Sequence, residues 1–296
     1  MGAILKVKHA LCAHGVVAIE TLDLRKTMAR RLTKGSIEDM ITLRRSKGEC
    51  IVTIVRELIT MLTPKRIYEE ELLDAGEGTD EDVARSLIDL RRVNRFFGGR
   101  KVVLRAISSC LDGTNSEHVS VLDVGTGSAD LPMAVAETCR LRGMATFIAA
   151  VDLSERNLRV SRSQLGVSSD VHLVRADSLR LPFAARSFDF VTASLFLHHF
   201  RDDDVVRLLA DFGRIARRAV IVNDLVRNLV PYYFTRVAGP ILAWSFLTRN
   251  DGPVSVLRGF TSQEMNDLAR RAGLRVREMK RVFPYRLSMV AEVRSQ

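Results

Sequence analysis

Residues 119–132 read V-S-V-L-D-V-G-T-G-S-A-D-L-P. The apolar run over 119–124 predicts a strand, Gly125 and Gly127 a tight turn, and the residues from 129 a helix. Glycine at these two places lets the backbone turn sharply and approach a ligand closely, and the helix start offers free N–H groups. Nucleotide-binding turns begin this way. In the dinucleotide fingerprint G-x-G-x-x-G the third glycine allows close helix–strand packing. Here Asp130 holds that place, and Asp123 sits two residues before the first glycine. Two carboxylates would repel a pyrophosphate seated between them. A cationic, phosphate-free nucleoside suits the turn better.

Outward from the turn, strands and helices alternate. Strands are expected at 145–151, 170–175, 188–194 and 218–223, and helices at 129–142, 154–165 and 202–215. This alternation predicts an α/β fold with a parallel sheet and helices on both faces. A helix at 261–272, ended by Gly273, leads to strands at 274–282 and 286–293. The short Phe283-Pro284-Tyr285 connection makes those two an antiparallel hairpin. Upstream, Val83, Leu87, Leu90 and Val93 recur at helical spacing over 80–97, and Gly98-Gly99 ends that helix. A second helix is expected at 101–111 and a polar linker at 112–117. Residues 61–115 thus read as a helical N-terminal segment and 116–296 as the main domain.

Residues 1–60 carry no chemical motif. They read as an N-terminal extension, either loosely packed or lying upstream of a start at Met61. One or two helices are expected over 36–62, with Ser36 as N-cap. Among 296 residues, 47% are apolar, which marks a globular chain. Four scattered cysteines with no metal-ligand spacing suit a reducing compartment, and a cytoplasmic location is expected. No apolar run is long enough for a membrane span. The net charge of +10 is spread over many arginines interleaved with carboxylates, a solvated surface rather than a nucleic-acid footprint. Peripheral membrane contact and the oligomeric state stay open.

Three further motifs carry chemistry. Asp152, in A-A-V-D-L-S, ends the second strand, where a carboxylate can accept from a ribose diol; Ser154 reads as the next N-cap. Asp177, in A-D-S-L-R-L-P-F, follows the third strand, where it could read an adenine edge. The fourth strand, F-D-F-V, runs into A-S-L-F-L-H-H-F. In this order and spacing the motifs resemble class I S-adenosylmethionine-dependent methyltransferases. The resemblance is strongest to the ubiquinone/menaquinone branch and, more softly, to bacterial enzymes that tailor phenolics and polyketides. It covers residues 119 to the C-terminus and implies a Rossmann-like seven-stranded sheet whose last strand is antiparallel. It also implies S-adenosyl-L-methionine as cofactor. Asp123, Gly125 and Gly127 would hold the methionine end, Asp152 the ribose, and Asp177 with Ser178 the adenine. Ala193 and Ser194 would floor the sulfonium. Arg92 or Arg95 would pair with the cofactor carboxylate, or else belong to a solvated helix face.

A methyl group on a sulfonium is already activated, so much of the catalysis is positioning. A phenol acceptor must also lose its proton, and histidine is the usual group for that near neutral pH. His198 and His199 follow strand four, at the sheet edge where open α/β folds bind ligands. One of them is expected as general base; the alternative is that they shape the pocket or cap the next helix. Residues 225–260 form an apolar, aromatic insertion after strand five. It is read as a lid over an apolar aromatic or phenolic acceptor, or else as core packing or a dimer contact. Asp224, Tyr232 and Arg258 are its candidate substrate contacts. No metal is expected: Asn223-Asp224 reverses the order of metal-dependent catechol enzymes, and strand four ends without an aspartate. An RNA methyltransferase is the alternative activity, although S-L-F-L stands where adenine enzymes carry N/D-P-P-aromatic. A catalytically silent cofactor-binding module is the alternative from another class.

Overall fold

A computed structural model describes residues 63–112, 116–165 and 170–293. The expectations for 1–60 and for helix over 36–62 lie outside the described residues. The first described helices are α1 (Asp80–Phe96) and α2 (Gly99–Leu111). Then β1 (His118–Val124), α3 (Asp130–Arg140), β2 (Ala145–Asp152), α4 (Glu155–Gln164) and β3 (Val171–Arg175) alternate. They are followed by β4 (Phe188–Ser194), α5 (Asp202–Ile215) and β5 (Ala216–Leu225). Two helices, α6 (Leu229–Ile241) and α7 (Phe246–Arg258), precede α8 (Ser262–Arg271) and the hairpin β6 (Arg275–Val282) and β7 (Arg286–Glu292).

The strands form one seven-stranded sheet in the order β3-β2-β1-β4-β5-β7-β6. β1 to β5 run parallel, and β7 is antiparallel to both neighbours. This is the topology that the resemblance implied. Val121, Leu122 and Val124 of β1 and Val220, Ile221 and Val222 of β5 are buried, as expected of central strands covered on both faces. α2 and α3 seal one face through Val103, Ile107, Leu131 and Val135. α5 and α8 seal the other. Val205, Leu208, Leu209, Phe212 and Ile215 of α5 recur at helical spacing and are all buried. Its first turn holds Asp202, Asp203 and Asp204, which suit the positive end of the helix dipole.

The insertion after β5 is the antiparallel pair α6–α7. α7 runs straight through Asn250-Asp251-Gly252-Pro253, a string that reads as a turn in isolation. Tertiary bonds override that local preference. Asp251 is buried and accepts from the backbone N–H groups of Leu72 (2.9 Å) and Leu73 (3.1 Å). Asp89 of α1 accepts from the Ser245 N–H (2.8 Å), and Ser86 bonds Thr248 at 3.1 Å. The pair is therefore stitched to α1 and to the turn at 71–76. No helix among the described residues is long and apolar enough to cross a membrane.

Candidate active site

The carboxyl ends of β1, β2 and β4 open into a cavity of about 700 Å³. Its wall begins at the glycine turn. Gly125 has φ +74°, and a Cβ there would lie 2.1 Å from Cδ2 of Phe196, so only glycine fits. The Asp152 carboxylate clasps this turn to the next helix. Oδ2 accepts from the Gly127 N–H (2.9 Å), and Oδ1 accepts from the Ser154 N–H (2.9 Å) and Asn157 Nδ2 (3.2 Å). A carboxylate has about four acceptor positions, so three are spent inside the protein. One position on Oδ2 is left for a ligand hydroxyl, and a second hydroxyl must displace Asn157. Asp177 caps a short 3-10 turn by accepting from the Leu179 N–H (2.9 Å) through Oδ1, which leaves Oδ2 for a donor. Ser178 and Ser194 also line the cavity.

Several expected contacts stand elsewhere. Asp123 is buried behind the turn, off the cavity wall, where it accepts from Thr192 Oγ1 at 2.6 Å. Burial pushes its carboxyl up to about 7. Ala193 is buried and also off the wall. Arg92 points to solvent and pairs with Asp89 at 3.6 Å, and Arg95 stacks its guanidinium on Phe96, so neither reaches the cavity. Tyr232 accepts from Arg236 at 3.3 Å and does not line it; Thr235 and Trp244 represent this insertion instead. Arg258 is buried and spends its guanidinium on backbone carbonyls: those of His198 (3.0 Å), His199 (2.5 Å) and Glu69 (2.7 Å). These bonds tie the backbone of the two histidines to that of Glu69.

His198 and His199 both line the cavity but differ in environment. His198 is buried between two carboxylates, with Nδ1 2.6 Å from Asp224 Oδ1 and Nε2 3.6 Å from Glu71 Oε1. Burial alone would lower its pKa, but Asp224 and then Glu71 overcome that and raise it to about 9. Burial alone would raise Glu71; the two imidazoles, His199 first, hold it at about 2. Asp224 is likewise held below its usual range by His198 against the effect of burial. His198 is therefore an imidazolium at neutral pH. Asp224 also accepts from the Leu225 N–H (2.7 Å) and is fully enclosed, so it orients His198 and is not on the wall. His199 is more open. Its Nδ1 lies 2.5 Å from Asp74 Oδ2, and Nε2 carries no hydrogen bond among the described residues.

Glu71, Asp74 and Arg286 are the site residues that sequence reasoning missed. Glu71 stands in the run Glu69-Glu70-Glu71, of which it alone is buried; its Oε1 accepts from Ser255 Oγ of α7 at 2.7 Å. Arg286 opens β7, lines the cavity and is 2% exposed. Ligand atoms of Glu71, His198 and His199 lie within 4.8 Å of one another, close enough to converge on a cation. Here the carboxylate and the imidazolium of His198 already neutralise each other.

Residues 121–219 match the family model described as a methyltransferase domain. The curated relatives include a demethylmenaquinone methyltransferase of Staphylococcus haemolyticus, 35% identical over 29% of this chain and 36% of the relative. A ubiquinone/menaquinone biosynthesis C-methyltransferase of Pseudomonas entomophila is 31% identical over 40% of this chain and 48% of its own length. The chain thus spans about half or less of the length of these relatives. Among solved structures, a SAM-dependent methyltransferase from Aquifex aeolicus superposes with TM-score 0.52 at 16% identity, covering 74% of this chain and 100% of that one. Human N-acetylserotonin methyltransferase gives 0.54 at 13%, covering 78% and 63%.

Proposed function

We propose that this chain, whose sheet is that of class I methyltransferases, is an enzyme that transfers a methyl group from S-adenosylmethionine. The acceptor is a small, apolar aromatic or phenolic molecule. One observation carries the reading. A single cavity is lined by the Gly125–Gly127 turn, Asp152 and Asp177 and, beside them, by the His199–Asp74 pair and apolar residues of α1 and α7. The first group suits a nucleoside: Asp177 Oδ2 is placed for an adenine amino group and Asp152 Oδ2 for a ribose hydroxyl. Leu87, Leu90, Trp244 and Val256 offer the acceptor an apolar enclosure.

The chain's own groups then have distinct tasks. His199 Nε2 takes the acceptor's phenolic proton while Asp74 holds the ring by Nδ1. The acceptor's electron pair forms the new bond to the methyl carbon as the sulfur–methyl bond breaks. The departing pair stays on sulfur and leaves a neutral thioether. An ionised phenol presents either its oxygen or its ortho carbon to the methyl group. His198, already protonated between Asp224 and Glu71, cannot act as base and fixes the floor beneath its neighbour. The deciding assay incubates labelled S-adenosylmethionine with a panel of phenols, quinols, alkylresorcinol-type lipids and tRNA. The reading expects label in a phenol or quinol; label in tRNA alone, weakened by salt, would replace it with the RNA alternative.

Two outcomes follow at the cofactor and cation level. Gly125→Ala weakens S-adenosylhomocysteine binding by at least about tenfold in a calorimetric titration. The alanine meets both the left-handed backbone and the Phe196 ring. Dialysis against EDTA leaves turnover unchanged, since the proposed proton and methyl transfers use no Lewis acid. A loss restored by one divalent cation would instead assign Glu71, His198 and His199 to metal binding.

A further inference from the structure

Arg286 is a guanidinium taken wholly out of water. It is 2% exposed, Nη1 has no hydrogen-bond partner, and Nη2 has only a long bond of 3.4 Å to Asn94 Oδ1. Among the described residues it makes no ion pair. Burial lowers its pKa to about 10, with Asp224 opposing from a distance, so it keeps its charge near neutrality. A buried charge without a partner is costly. The backbone is built around it nonetheless. A Cβ on Gly99 would lie 2.8 Å from Asn94 Oδ1, 3.2 Å from Asn223 Nδ2 and 3.6 Å from Arg286 Cζ, so the α1–α2 junction leaves out a side chain where this cluster packs. Asn223 donates to Ser194 Oγ at 2.7 Å, and Arg286, Asn94 and Ser194 all face the cavity.

We propose that Arg286, backed by Asn94 and the Asn223–Ser194 pair, is the seat for an ionised oxygen of the methyl acceptor, so that the substrate class is acidic phenols, enols or aromatic carboxylates. The proposal rests on the methyltransferase reading above and narrows its acceptor. A planar guanidinium with a free N–H edge matches a delocalised oxyanion. The arginine starts from β7, whose backbone is three strands from β1 through β4 and β5, roughly 14 Å at the usual strand spacing, and its guanidinium packs beside Asn94 and Asn223. The base, His199, and the anion seat then serve successive stages. His199 removes the proton, and Arg286 holds the charge that removal creates.

The probe is 4-nitrophenol, whose anion absorbs in the visible, titrated against the full chain saturated with S-adenosylhomocysteine. The neutral comparison is 4-nitroanisole. In the wild-type protein the bound phenol ionises at least about one pH unit below the free one, a tenfold preference for the anion. Arg286→Met removes that shift while 4-nitroanisole binds as before, and Arg286→Lys restores part of it. S-adenosylhomocysteine affinity stays within about twofold in both variants. An unshifted ionisation in the wild-type protein overturns the proposal without any variant having to fold. So does a tenfold loss of S-adenosylhomocysteine affinity in Arg286→Met, which would give the arginine to the cofactor carboxylate. Absence of S-adenosylhomocysteine binding to the wild-type protein would instead overturn the methyltransferase reading beneath it.

Discussion

Asp224→Ala is expected to destabilise the protein by about 3–5 kcal/mol, because it strands the His198 imidazolium in a buried site. In a domain of this size that is a fall in melting temperature of roughly 6–20 °C. Its pH signature separates it from simple cavity formation. In the wild-type protein the folded pKa of His198 is raised, from 6.5 to about 9. Stability from the pair is therefore complete below about 6.5 and is lost as pH rises through about 9. Thermal melts of the wild type should show this decline across that window, and Asp224→Ala should show a much flatter one. Equal slopes in the two proteins would mean that His198 is not held as a cation by Asp224.

His199→Ala is expected to lower kcat by about 10²–10⁴-fold with a weakly acidic phenol, protonated at the assay pH, as acceptor, the usual contribution of a positioned base. KM for S-adenosylmethionine should change little, because the proposed nucleoside contacts, Asp152 and Asp177, lie on β2 and after β3. Asp74→Asn should cost less than His199→Ala and act through the same pH limb, since it removes the group that orients the ring. An acceptor supplied already ionised, at high pH, should recover much of the loss. A kcat within about threefold of wild type for His199→Ala on a protonated phenol would remove histidine from the proton transfer.

The sequence was most legible where burial on both faces leaves little freedom. β1, β4 and β5 are apolar runs between turn residues, and Val205, Leu208, Leu209 and Phe212 of α5 mark their own helix. The glycine turn was legible because Gly125 is demanded by its backbone and by Phe196 together. The helical form of the insertion was not, because Gly239, Pro240, Gly252 and Pro253 argue locally against it; the bonds that favour it reach back to Asp89 and to Leu72 and Leu73. The same distance hides the site's polar residues. Nothing in Glu69-Glu70-Glu71 says which carboxylate is buried, and an arginine opening a C-terminal strand reads as surface until Gly99 and Asn94 close over it. Conversely, Arg92 had the right chemistry for a carboxylate and the wrong side of its helix. His198 and His199 were identical in the sequence; Asp224 and Asp74, more than twenty residues away on either side, give them different partners.

The central claim is that the cavity at the ends of β1 to β4 is a seat for S-adenosylmethionine. Isothermal titration of the full chain with S-adenosylhomocysteine tests it most directly, with the Asp177→Ala and Asp152→Ala proteins alongside. The account predicts one binding site per chain. Affinity falls at least about tenfold in Asp177→Ala, which loses the adenine contact. It falls further in Asp152→Ala, which loses both the ribose acceptor and the clasp on Gly127. Binding of NAD under the same conditions should be much weaker, because the Asp130 carboxyl on the cavity wall stands where a pyrophosphate would need room and donors. No heat with S-adenosylhomocysteine, or affinity unchanged in both variants, would contradict the account.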